Sequence, residues 1–237
     1  MADVQDDERE IEMRRIAGLQ KKGGRSDEDA HLCEIEDHDD VPFELKSSTN
    51  DSVSTGRDIG HEHLRRWNEL DWLVGFYLDD DGDLVLNELY HFQPGELDWF
   101  GEKEDYIEPD YELLAIAAEN LDDDAVSRIF GDEESYGYDD VKRVLKQQKM
   151  YPSGERLKKA MIEEMADLPG TRFSRERLLE ILRHRVRYLI HRGGTLNNPH
   201  IPKKSIVEVA HKFDLRKDDI PALLRERVLN RLNAEEE

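Results

Sequence analysis

Two stretches near the start of the chain alternate between apolar and polar residues. In residues 41–47, Phe43 and Leu45 fall on one side of an extended strand, and Glu44 and Lys46 on the other. Residues 30–36 predict the preceding strand, interrupted by the adjacent apolar pair Leu32 and Cys33. The acidic cluster 37–40 is the turn between them. Residues 72–78 form a short apolar run suited to a buried strand, and the Asp-rich segment 79–83 turns it into a partner strand over 84–90. Helical spacing replaces this pattern elsewhere. A first helix is expected over 4–22, with Glu8, Glu12, Ile16 and Leu19 on neighbouring positions and Gly23-Gly24 as its stop. Helices are also expected over 61–71, 110–121, 138–148, 158–165, 205–213 and 219–232. The cleanest covers 175–192, with Ser174 as N-cap and Leu178, Leu182, Val186 and Leu189 as its buried stripe. The acidic segment 119–140 reads as a solvated connection.

These elements predict an α/β fold, with a central mixed sheet over 30–92 flanked by helices and a helical C-terminal half. A first domain is expected over 1–100, completed by a helical region over 101–237. No run approaches the roughly 18 apolar residues of a membrane span, so no membrane partner is expected. The acidic Met-Ala-Asp start does not read as a signal peptide, and Cys33 has no second cysteine to pair with. Both features lead to the expectation of a cytoplasmic protein.

Charge changes the picture twice. The net charge of −22 opposes nucleic-acid binding at low ionic strength. Few lysines among many acids suggest adaptation to concentrated, halophilic salt, where repulsion is screened. The charge is also uneven: residues 141–192 carry 14 basic and 6 acidic side chains. Arg183 and Arg187 in that segment, and Asn197, Asn198 and Lys203 in the loop after it, are candidate DNA contacts, since amides and guanidinium groups read base edges. Ser54, Thr55 and Arg57 offer groups used on phosphates. The alternative for the arginines is pairing with acids elsewhere in the chain.

The chemistry converges on the first hairpin. Asp29 precedes the first strand, and folding back brings it beside Glu44 on the second. Two hard oxygen ligands can hold Mg²⁺ together with water and a phosphate oxygen. Lys46, on the face of Glu44, can orient an attacking water and stabilise developing negative charge. The Asp-rich turn 79–83 is not a calcium loop, because the first ligand position would fall on Tyr77. The histidines His31, His38, His61 and His63 lack structural-zinc spacing.

Asp29, 14 intervening residues and Glu44-Leu45-Lys46 resemble the PD-(D/E)xK nuclease pattern, most familiar from type II restriction endonucleases; Glu28 stands where the pattern's proline would be. The order hairpin, helix, strand over residues 1–95 is what that family's core implies. The resemblance implies a restriction-endonuclease-like core and a Mg²⁺-dependent endonuclease hydrolysing double-stranded DNA by in-line attack. It implies Asp29 and Glu44 as metal ligands, Lys46 as catalytic cation and a homodimer, and it makes Glu12 of the first helix a candidate third carboxylate, the alternative for Glu12 being an exposed residue at the edge of that helix. The alternatives are a repair or structure-specific nuclease of the same core, and a non-enzymatic acidic protein that meets a basic partner.

Overall fold

The computed structural model describes residues 2–22, 28–35, 38–146, 148 and 157–235. They form two compact units, one of residues 1–104 with 196–237 and one of residues 105–195. In chain order the first unit begins with α1 (Ala2–Ala17), β1 (Ala30–Leu32), β2 (Val41–Ser48), β3 (Ser52–Ser54), α2 (His61–Asn68), β4 (Asp71–Asp80) and β5 (Asp83–Phe92). Helix α3 (Asp98–Glu119) crosses into the second unit, which continues with α4 (Asp123–Phe130), α5 (Tyr138–Leu145), α6 (Lys159–Glu164) and α7 (Arg175–Gly193). The chain returns to the first unit as β6 (His200–Pro202), α8 (Lys203–Val209), β7 (His211–Phe213) and α9 (Ile220–Glu235).

The main sheet has five strands in the order β1-β2-β4-β5-β7. β2 and β4 run parallel and the other neighbours antiparallel, so the sheet is mixed. A parallel pair needs a crossover, and α2 lies within the one between β2 and β4. Residues 71–77 of β4 are all buried, as befits a central strand covered on both faces. On one face Met13 and Ala17 of α1 and Leu224 and Val228 of α9 pack against Phe43, Leu45, Leu73, Tyr77 and Leu89. In a separate aromatic group, the rings of Trp67, Phe92 and Phe100 surround Trp72 at centroid distances of 5.3–5.9 Å. Helix α9 is also held by polar contacts. Arg231 donates to the buried Asp71 at 2.6 Å, and Arg225 donates to the carbonyls of Cys33 and Glu34.

Several elements differ from the sequence expectation, each for a local reason. Helix α1 stops at Ala17 because Gly18 takes φ +68°, and Leu19 N donates back to the Arg14 carbonyl. The expected stop at Gly23-Gly24 lies outside the described residues. β1 is only three residues long, and Glu34 at φ 57° breaks the extended run; Glu36, the expected end of that strand, is not among the described residues. The acidic segment 119–140 contains α4, whose N-cap Asp122 accepts from Ala125 N. The expected helix 110–121 is the end of a 22-residue helix that starts at Asp98. The expected helix over 205–213 is α8 followed by the edge strand β7. Residues 196–237, expected with the helical region, pack instead with 1–104, contributing two strands and two helices there.

The second unit has its own core, which includes Val126, Tyr136, Val141, Leu145, Phe173, Leu178, Ile181 and Leu182. Ser174 caps α7 as expected, accepting from Arg177 N at 3.1 Å. The buried stripe of α7 is shorter than its spacing implied, because Leu189 is 52% exposed.

Candidate active site

The hairpin register places the acidic residues. Ala30 pairs with Phe43, so Asp29, one residue earlier, lies beside the Glu44–Leu45 segment. Asp29 is anchored there, since its Oδ2 accepts from Leu45 N at 3.0 Å. Alternation along β2 sends Phe43 and Leu45 into the core and leaves Glu44 and Lys46 on the other face. Lys46 Nζ then lies 2.5 Å from Glu44 Oε1 and 3.9 Å from Asp29 Oδ2. All three groups are largely enclosed, with side-chain exposures of 10% for Glu44, 20% for Lys46 and 23% for Asp29. The structure therefore brings together the three residues that the sequence singled out.

The charges do not balance, because one ammonium faces two carboxylates. Burial pushes the Glu44 carboxyl up, and Asp29 adds to this; Lys46 and, to a lesser extent, Arg66 only partly offset them. Burial works against the Lys46 ammonium, but Glu44 and Asp29 outweigh it and hold the Lys46 pKa above its ordinary value. Lys46 is thus a fixed cation rather than a proton acceptor near neutral pH. The site is framed by Arg14 of α1, which donates to the Asp29 carbonyl at 3.1 Å, and by Arg66 of α2, which pairs with Glu28 at 3.6 Å.

The α1 carboxylates take different places from the expected one. The Tyr77 hydroxyl donates to the Arg9 carbonyl at 3.3 Å; burial first and then the charge of Glu12 push the Tyr77 phenol well above its usual range. Glu10 is the α1 acid whose charge acts on Lys46, and it also pairs with Arg14 at 3.7 Å. Two residues apart on one helix, Glu10 and Glu12 point to different sides of α1, and the sequence expectation followed the side of Glu8, Glu12 and Ile16.

The expected DNA contacts belong to both units, and several are engaged within the protein. Ser54 donates to Asn198 Oδ1 at 2.5 Å, and Thr55 donates to the Pro199 carbonyl at 2.6 Å. They flank the backbone pairing of β3 with β6 in a two-stranded sheet. Arg57 and Asn197 are exposed. Lys203 pairs with Glu88 and stacks 4.4 Å above the Phe76 ring. Arg183 and Arg187 belong to the second unit, where Arg183 donates to the Leu121 carbonyl at 3.0 Å. Arg175 on the same helix pairs with Asp123 and Asp132, which is the internal pairing the acidic composition allowed.

Sequence reasoning missed Arg9, whose Nη1 donates to Ser47 Oγ at 3.2 Å, one residue beyond Lys46. The available signal was the hydroxyl run Ser47-Ser48-Thr49 directly after the Glu-x-Lys triplet. Among the described residues, no group of three or more His, Cys, Asp or Glu side chains is arranged to hold a metal, and no helix is long and apolar enough to cross a membrane. In comparisons with known proteins, no family model matches the chain and no curated protein is significantly similar to it.

Proposed function

We propose that the chain is a Mg²⁺-dependent endonuclease acting on double-stranded DNA, with a restriction-endonuclease-like core most like that of a type II restriction enzyme. The observation that carries this is the convergence of Asp29, Glu44 and Lys46 on one hairpin. The sequence of elements supports it: antiparallel hairpin β1–β2, helix α2, then β4 parallel to β2. The donor set suits Mg²⁺, which commonly takes one or two carboxylates and fills its other positions with water and phosphate oxygens, so a pair of acids suffices. The excess negative charge around Lys46 and the raised Glu44 pKa are what a cation between Asp29 and Glu44 would relieve. When bound, such a cation supplies Lewis-acid charge to a phosphate oxygen and acidifies a coordinated water.

The protein groups have distinct tasks. Asp29 and Glu44 would hold the metal. Leu45 N fixes the Asp29 carboxylate, so that ligand is preorganised by the β2 backbone. Lys46 stays charged, and so orients the attacking water and stabilises charge that develops on the phosphate rather than removing a proton. Attack is in-line, and cutting both strands of a symmetric site would use a homodimer.

A second reading is favoured by one observation, the net charge of −22. It makes the chain an acidic, non-enzymatic protein with a basic partner, and the ionic triad a structural contact of the hairpin. Incubation with supercoiled plasmid separates the two. The nuclease reading predicts nicked and linear DNA with Mg²⁺ and none with EDTA. Discrete fragments indicate sequence-specific restriction, and smears or junction-dependent cuts indicate a repair or structure-specific role. Plasmid that stays supercoiled across metals and salt concentrations contradicts the nuclease reading.

A further inference from the structure

Beyond Lys46, the end of β2 borders a small cavity of about 160 Å³. Arg9 of α1, Ser47 of β2, Thr49 after it, Ser52 and Ser54 of β3 and His200 of β6 are among the residues that line it. Among the described residues, none of those lining it is a carboxylate, in a chain with 56 acidic residues. A second hollow that Arg9 also lines has Glu8, Glu12 and Asp83 among its lining residues, so the absence of acids is particular to the first.

The donors are held in place. The Arg9 guanidinium lies 5.6 Å from the centre of the Tyr77 ring and donates to Ser47 Oγ, which leaves the Ser47 hydroxyl proton directed elsewhere. Ser48 does not take part as a donor; its hydroxyl bridges the backbone of Asn50 and Ser52 and shapes the turn into β3. Ser52 Oγ and His200 Nδ1 lie 3.4 Å apart, and Ser54 is fixed by Asn198. A guanidinium with several hydroxyls and an imidazole is a donor set suited to phosphate oxygens.

We propose that this cavity is a phosphate-binding subsite, which takes a phosphate of the nucleic-acid strand neighbouring the one at Lys46. Assigning the phosphate to nucleic acid rests on the nuclease reading, whereas anion binding by the cavity does not. Arg9 is the charged anchor, and Ser47, Thr49 and Ser52 supply neutral donors.

The test uses the full chain in EDTA, with inorganic phosphate titrated at constant ionic strength against chloride and followed by backbone amide NMR. Saturable shifts are expected at Ser47, Thr49 and Ser52. Arg9→Gln, which keeps most of the stem over Tyr77, should weaken phosphate binding about tenfold, the loss of one charge-assisted contact. Ser52→Ala leaves α1 intact and should weaken it about fivefold. Shifts that chloride reproduces, or that both variants leave unchanged, overturn the subsite. In Mg²⁺-dependent cleavage of a duplex oligonucleotide, Arg9→Gln should raise KM about tenfold with kcat within about twofold. A lower KM for 5′-phosphorylated than for 5′-hydroxyl ends assigns a terminal monoester, and equal KM values assign an internal diester. Cleavage with KM unaltered by Arg9→Gln overturns the subsite and leaves the nuclease reading standing. Saturable phosphate binding in a protein that never cuts DNA keeps the anion site and overturns its assignment to nucleic acid.

Discussion

Single residues in this chain are placed by two kinds of information, and only one is local. The common face of Glu44 and Lys46 follows from the two-residue repeat of a strand, and the nearness of Asp29 follows from a short hairpin; both were legible. Ser54 and Asn198 are 144 positions apart, and no local pattern signals their hydrogen bond. Glu88 shows the same limit. It is clasped by Lys203 and Lys212, 2.5 Å away in the latter case, after the chain has passed through the second unit. Burial tends to raise the Glu88 pKa, but these two lysines overcome it and bring the group down to about 2. A carboxyl depressed in the folded state contributes stability that is present above its ordinary pKa of 4.5 and is lost as pH falls through about 2. Glu88→Gln is therefore expected to lose about 1–2 kcal/mol at pH 7, a figure kept small because Lys212 is half exposed. The loss should shrink at pH 3. Urea unfolding at both values checks this, and an equal loss at both would assign the effect to packing instead.

At the scale of elements, the sequence was most informative where a segment is both periodic and sequentially close to its partner. The β4–β5 hairpin is such a case: Asp79 Oδ1 accepts from Gly82 N, and Asp81 and Gly82 take positive φ, the backbone that a tight turn requires. The short edge strand β7 and the β3–β6 pair were hidden because three-residue strands carry too little pattern and owe their existence to distant partners. The docking of α1 on the sheet matters most for the site, since α1 carries Arg9, Glu10 and Arg14. A glycine makes that approach possible. A Cβ on Gly75 would lie 2.7 Å from Met13 Sδ and 3.0 Å from Leu86 Cδ1. Gly75→Ala is expected to cost about 1–3 kcal/mol by overpacking. It should also lower cleavage through displacement of α1, with no change to any residue of the ionic triad. A variant as stable and active as the parent would show that α1 is not held at this spacing.

The whole molecule carries a charge that its proposed substrate shares. At −22, repulsion among its own carboxylates and against DNA is strong in dilute buffer. Screening reaches about 3 Å at 1 M salt against about 10 Å at 0.1 M. Folding and cleavage are therefore expected to strengthen as KCl rises from about 0.05 to 3 M, which circular dichroism and plasmid cutting can follow in parallel. Full folding and highest activity at the dilute end would show that the acidity is not a salt adaptation. The proposed function rests on Asp29, Glu44 and Lys46 acting together as a metal-dependent phosphodiesterase site. Its most direct test compares the rate of Mg²⁺-dependent cleavage of supercoiled plasmid by the wild-type chain and by Glu44→Gln, each verified as folded by circular dichroism in the same salt. The wild type should cut, and the variant should be slower by at least about a hundredfold, as expected for the loss of a metal ligand. Equal cutting by the two folded proteins, or no cutting by either, would contradict a catalytic role for these three residues.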